Sequence, residues 1–318
     1  MFDICCLGIL VADVISHTVD SLPGEGRLII VDSISLGVGG CAANSAIDLK
    51  KLGVDVAVIG KVGNDAFGSF ILQDLSNYGI DITGINRSVN TPTSAANVLI
   101  NRAGERSFIH CPGTNGNFCE KEVDFSIIEK SKILFIAGAL LMPSLDGDPT
   151  MNILKKAKKH GIYTVLDTAW DATGRWMSVI GQCLPFLDLF IPSIEEAQIL
   201  SGKSNVSDMA DVFLSYGVSL CVIKQGKDGC YIKNSNGEEL TIPSYTRIKA
   251  KDTNGAGDSF VAGFLTGILK GWDIKTCGRF ANAVGAHCVS QIGTTTGIRP
   301  IEDILLFMEK YEEGIDII

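Results

Sequence analysis

The chain has 318 residues, 46% of them hydrophobic and 20% charged, with a formal net charge of −9. Such a composition supplies apolar surface for a sizeable core and excludes a disordered or low-complexity chain. The acidic balance, with no dense Lys/Arg run, excludes a nucleic-acid partner.

The N-terminus, Met1-Phe2-Asp3, lacks the basic opening of a secretory signal. The ten cysteines show no C-x-x-C pair and no zinc spacing, so they read as small buried hydrophobes of a reducing, cytoplasmic protein. A first strand is predicted over residues 4–10. Residues of about 13–35 then alternate apolar and polar around Pro23-Gly24-Glu25-Gly26, the pattern of an antiparallel ribbon. A helix over 41–52 stops at Gly53 and a strand over 56–60 follows. A second ribbon of about 90–111 turns at Asn101-Arg102-Ala103-Gly104, and the two ribbons are expected to pair as a small sheet. The apolar run from Ile133 to Met142 is about half the ~20 residues needed to span a bilayer, so no membrane partner is expected. Its first part, 133–137, is a predicted strand, followed by a helix over 149–160 and strands over 164–166, 187–191 and 220–224. A hairpin turns at Asn234-Ser235-Asn236-Gly237, and helices over 256–270, 274–291 and 301–311 close the chain. Strands alternating with helices predict an α/β fold around a mainly parallel sheet, with ligands at the carboxyl ends of its strands. The whole of 1–318 reads as one domain, with the two ribbons as a small β-sheet lid.

The most informative segment is Asp252-Thr253-Asn254-Gly255-Ala256-Gly257-Asp258, which leads into an apolar helix. Small residues at Gly255, Ala256 and Gly257 let successive backbone N–H groups converge at a helix N-terminus, a site suited to phosphate. Asp258 in the first turn is placed to take a proton from an attacking hydroxyl. Alternatively, it complements the helix dipole beside a tight turn.

The chain resembles the PfkB, or ribokinase-like, carbohydrate kinases. Their C-terminal signature, D-T-x-G-A-G-D, is matched without a gap by Asp252 to Asp258. Their N-terminal signature is matched by Gly39, Gly40, Asn44, Gly53 and Gly63, about 200 residues earlier, and the resemblance covers essentially the whole chain. It implies a ribokinase-like three-layer fold and ATP-dependent phosphorylation of a monosaccharide or sugar acid, with a nucleoside kinase of the same fold as the alternative. A sugar-binding regulator without catalysis would not need Asp258 and Glu196, both of which are present.

Residue by residue, the resemblance implies that Asp258 is the base and that residues 255–257 form the anion hole. Asp13, Gly39, Gly40 and Asn44 would hold sugar hydroxyls, with Arg106 of the lid beside an anionic or hydroxyl-rich substrate. Lys224-Gln225-Gly226-Lys227-Asp228-Gly229 resembles the nucleotide loop, so Lys224 would bind nucleotide and the backbone at Gly226 and Gly229 would lie against adenosine, with Asn282 near adenine or else a solvated helix residue. In Pro192-Ser193-Ile194-Glu195-Glu196, Ser193 stands at the cofactor-binding position where the family has a phosphate-contacting Asn, and Glu196 would order water around Mg²⁺. Ser193 and Glu196 equally form a capping box. Asp252, with Cys288, Gln291 and Gly293, falls where many members bind K⁺. Asp167, Asp171, Arg175 and Trp176 loosely match D-x-N-x-R, Asp171 near Mg²⁺ or nucleotide, Arg175 and Trp176 as packing residues. His110 is left as a substrate neighbour. The open edges of so small a lid sheet predict a homodimer that pairs lid against lid.

Overall fold

The computed structural model describes residues 1–312; residues 313–318 of the expected domain lie outside the described residues. Unbroken apolar runs build strands buried on both faces, as central parallel strands between helical layers require. In β1 (Phe2–Gly8), Ile4, Cys5, Cys6 and Leu7 are all fully buried. The chain then leaves the main sheet for a hairpin of β2 (Val11–His17) and β3 (Ser33–Gly39) before α1 (Cys41–Lys51), β4 (Val56–Gly63), α2 (Ala66–Asn77) and β5 (Asp81–Ser88). A second excursion forms β6 (Ala95–Ile100) and β7 (Arg106–Cys111). The alternation resumes with α3 (Phe125–Glu129), β8 (Ser131–Ala139), α4 (Asp148–Lys159), β9 (Tyr163–Thr168), α5 (Met177–Ile180), β10 (Leu189–Phe190), α6 (Ile194–Ser201), α7 (Val206–Ser215) and β11 (Leu220–Lys224). The hairpin β12 (Cys230–Asn234) and β13 (Glu239–Ile242) leads to α8 (Ala256–Leu269), α9 (Ile274–Val289) and α10 (Ile301–Glu312).

Nine strands form the main sheet in the order β13-β12-β11-β10-β9-β8-β1-β4-β5. It is parallel from β11 through β5, and only the β12–β13 hairpin adds antiparallel pairs. One apolar cluster joins α1, α2, α8, α9 and α10 to one face, and another joins α3, α4, α6 and α7 to the other, giving three layers. The two expected ribbons do pair: the second sheet runs β3-β2-β6-β7, with β2 and β6 parallel at its centre. Its outward residues include Ile34 (68% exposed) and Phe108 (57% exposed).

Two elements differ from expectation. β5 was not singled out because its sequence, Asp-Ile-Thr-Gly-Ile-Asn-Arg-Ser, has the polarity of an edge strand, which it is. The strand expected over 187–191 pairs only at Leu189–Phe190, bridging β9 and β11.

Candidate active site

The candidate residues gather at the carboxyl ends of the parallel strands, beneath the second sheet. Gly40 caps α1 with φ +92°, and a Cβ there would lie 2.5 Å from the Ile9 carbonyl oxygen, so only glycine lets the chain enter α1 this closely. A Cβ at Gly39 would lie 2.3 Å from the Asp13 carboxylate, which occupies that space instead. Burial pushes the Asp13 carboxyl up to about 6, against the pull of Arg106.

The first turns of α1 and α8 meet here. The Asn44 amide donates to Asp258 Oδ2 at 2.8 Å, and the Ser45 hydroxyl donates to the Asp258 carbonyl at 3.3 Å. One turn deeper, Ser259 and the buried Asp48 are 2.5 Å apart. The N-cap of α8 is Gly255 at φ +79°, where a Cβ would lie 2.3 Å from the Thr294 carbonyl oxygen. Ala256 and Gly257 follow in the first turn, whose N–H groups have no intrahelical partner. Burial raises the Asp258 carboxyl above its usual range, opposed by the Asn44 bond, by Lys224 and by the Cys41 thiol. Cys41 was not singled out from the sequence; its signal was its place directly after Gly39-Gly40.

Ser193 and Glu196 do form the capping box: Glu196 Oε2 accepts from Ser193 N–H at 3.0 Å, and Ser193 Oγ accepts from Glu196 N–H at 3.4 Å. The Thr168 hydroxyl also donates to Glu196 Oε2, at 2.9 Å. Across from them Lys224 Nζ pairs with Asp167 Oδ2 at 2.6 Å, the Asp167 side chain buried and that of Lys224 only 10% exposed. Asp167 Oδ1 is buried with no hydrogen-bond partner. The negative charges of Asp167, Glu196 and Asp258 all act on Lys224, and together they outweigh burial and hold its ammonium above the usual range.

Mg²⁺ fits this donor set. Among the described residues no three acidic, His or Cys side chains form a metal cage, and magnesium prefers to keep its waters and recruit one or two carboxylates. Glu196 and the orphaned oxygen of Asp167 supply that kind of support. A monovalent cation held by the Asp252 side chain does not fit. Its carboxylate is already paired with Arg106 and accepts from Gly293 N–H at 2.8 Å and Asn254 N–H at 2.9 Å. A guanidinium thus already neutralises that charge.

Arg106, expected to face the substrate, therefore spends its guanidinium on Asp252, tying the lid strand β7 to the turn before α8. Gly226 and Gly229 take positive φ in a short turn, and a Cβ at Gly229 would lie 2.0 Å from the Ile242 carbonyl oxygen. Asn282 is buried rather than solvated and donates to the carbonyls of Ile242 and Pro243 at 3.2 Å each, bracing that loop. The oxygens of Asp171 accept from Thr173, Arg175 and Trp176 N–H groups at 2.6–2.8 Å and shape their own loop. Arg175 lies 3.6 Å from the buried Asp146, and Trp176 packs edge-on against Trp170. His110 is exposed on β7.

Similar proteins include a 5-dehydro-2-deoxygluconokinase of Clostridium perfringens, 27% identical over 300 residues that span 87% of this chain and 85% of the relative. A 2-dehydro-3-deoxygluconokinase of Bacillus subtilis is 28% identical over 313 residues, 89% of this chain and 90% of the relative. The fold is that of Arabidopsis thaliana ribokinase, solved with ribose and ATP, at TM-score 0.84 and 24% identity over 97% of this chain and 99% of that one. The family model described as pfkB family carbohydrate kinase matches residues 1–301, and the chain accordingly belongs to the pfkB family of carbohydrate kinases.

Proposed function

We propose that this chain transfers the γ-phosphoryl group of ATP to a hydroxyl of a monosaccharide or sugar acid, with Asp258 as the base. The observation that carries the reading is the Asn44–Asp258 bond, which sets the one carboxylate of the α8 first turn against the sugar-side turn of α1. Asp13 and Asn44 orient hydroxyls, since a carboxylate accepts and an amide both donates and accepts in fixed directions. Asp258 takes the hydroxyl proton as the oxygen attacks; the new P–O bond forms as the bond to the β-phosphate oxygen breaks, and its electron pair leaves with ADP. The first-turn N–H groups of α8 and its dipole stabilise charge on the phosphates. Mg²⁺, supported by Glu196 and Asp167, would neutralise phosphate charge when bound. The loop of Gly226 and Gly229, braced by Asn282, lies beside the adenosine.

Sugar acids related to gluconate are the proposed substrate class, given the names of the relatives. Two further elements belong to the reading. The exposed Ile34, Leu36 and Phe108 on lid strands β3 and β7 support a homodimer through the lid. Ten free cysteines support a reducing, cytoplasmic setting.

A coupled ATP-consumption screen over pentoses, hexoses, ketoses, sugar acids, sugar phosphates and nucleosides tests the function. Turnover with a sugar or sugar acid is expected. Turnover with nucleosides alone would replace this reading with that of a nucleoside kinase.

A further inference from the structure

The loop after β11 reads in sequence as a cradle for adenosine, yet its first residue points elsewhere. The backbone from Gln225 to Gly229 turns back on itself, with Gln225 N–H donating to the Gly229 carbonyl at 2.8 Å, and packs against the end of β13. Lys224 instead stays with the main sheet. Its N–H donates to the Pro192 carbonyl at 3.0 Å, and it forms a parallel bridge with Ser193, next to the turn that carries Glu196. Its ammonium meets Asp167 at 2.6 Å. On its far side lies the α8 turn: a Cβ at Gly257 would be 3.7 Å from Lys224 Nζ. The ammonium is thus set among the ends of β9, β10 and β11 and beside the residue that precedes Asp258.

A buried ion pair adds little stability over a well-packed apolar pair, and an orphaned buried oxygen such as Asp167 Oδ1 is a further cost. The arrangement gains its use once a polyanion enters. Asp167, Glu196 and Asp258 would repel a triphosphate, and Lys224 is the cation placed among them.

We propose that Lys224 is a catalytic residue, its ammonium contacting the γ-phosphoryl oxygens during transfer, and that Asp167 is the positioning residue that aims it. The proposal rests on the kinase reading above and assigns Lys224 a place different from the adenosine loop. Lys224 keeps its protons throughout; the hydroxyl proton goes to Asp258 and the leaving electron pair to ADP. The ammonium binds where charge is rearranged between the transferred group and its oxygens, so its effect falls on kcat more than on nucleotide affinity.

The test compares wild type, Lys224→Met, Lys224→Arg and the double variant Lys224→Met/Asp167→Asn, which leaves no unpaired buried charge should the single variant fail to fold. Calorimetry measures MgADP and the non-transferring analogue MgAMP-PNP, and the coupled assay measures kcat and KM with the acceptor found in the screen. Expected for Lys224→Met and the double variant are a kcat reduced ~10²–10³-fold and MgAMP-PNP weakened about tenfold relative to MgADP, with near-normal MgADP affinity in Lys224→Met. Lys224→Arg should recover part of kcat, because the charge returns with a different reach. Asp167→Asn alone should lower kcat at saturating Mg²⁺ and weaken MgAMP-PNP relative to MgADP. Equal weakening of both nucleotides would put Lys224 back in the adenosine loop and overturn the proposal, as would unchanged kcat and affinity ratio. If wild type binds both nucleotides but phosphorylates no acceptor, the kinase reading fails, and the nucleotide ratio still decides where Lys224 points.

Discussion

The amide of Asn44 and the carboxylate of Asp258 lie 2.8 Å apart though 214 residues separate them. This contact joins the two signature segments of the chain at one atom pair. It also gives the proposed base a fixed direction, because an Asn amide that donates to Oδ2 leaves the carboxylate only limited freedom to rotate.

Asp258→Asn should lower kcat by ~10²–10⁴, the range of a lost general base, while sugar and nucleotide binding largely persist. The amide is nearly isosteric but cannot accept the hydroxyl proton. Steady-state rates with calorimetric binding on the purified variant check this; near-wild-type turnover would remove Asp258 from the chemistry.

Acid should weaken sugar binding through Asp13. Burial holds its carboxyl at about 6, above the ~3.9 of an unfolded chain. The folded protein therefore binds more protons than the unfolded one between roughly pH 4 and 6, so this group's contribution to stability falls as pH rises through that window. Hydroxyls donate to the ionised form, so the KM for sugar should climb as pH drops below about 6. Asp13→Asn should bind sugar weakly at every pH and lose that dependence; an unchanged profile in the variant would count against the contact.

Glu196→Gln should raise the Mg²⁺ concentration needed for half-maximal rate, since a neutral amide orders metal-bound water less strongly than a carboxylate. The cap should survive, because the amide oxygen can still accept from Ser193 N–H as Oε2 does now at 3.0 Å. A magnesium titration with a thermal melt separates the two roles. A shifted melt with an unshifted titration would leave only the capping role.

Charges placed on the lid should break the dimer. Ile34 and Leu36 alternate along the edge strand β3 with 68% and 41% exposure, and an open apolar edge is a pairing surface. Light scattering should show a dimer for wild type and a monomer for Ile34→Asp/Leu36→Asp. A monomeric wild type at micromolar concentration would sink the expectation.

Much of this molecule is written locally. Unbroken runs such as Ile4-Cys5-Cys6-Leu7 read as central strands, and Gly255-Ala256-Gly257-Asp258 as a helix opened through a left-handed glycine. Even the Ser193–Glu196 cap is visible in four consecutive residues. The strand–helix alternation, the two ribbons and the helix-opening turn that carries Asp258 therefore follow from periodicity and turn residues, while the three-layer order is what the family resemblance implied. What the tertiary structure alone decided is which charge meets which. Arg106 could have faced solvent or a ligand, but the approach of β7 to the turn before α8 gives it to Asp252, 146 positions away. Lys224 belongs by sequence to a nucleotide loop, yet the neighbouring end of β9 turns it to Asp167. Long flexible side chains reach several partners from one backbone position, and only the packed sheet and helices select among them.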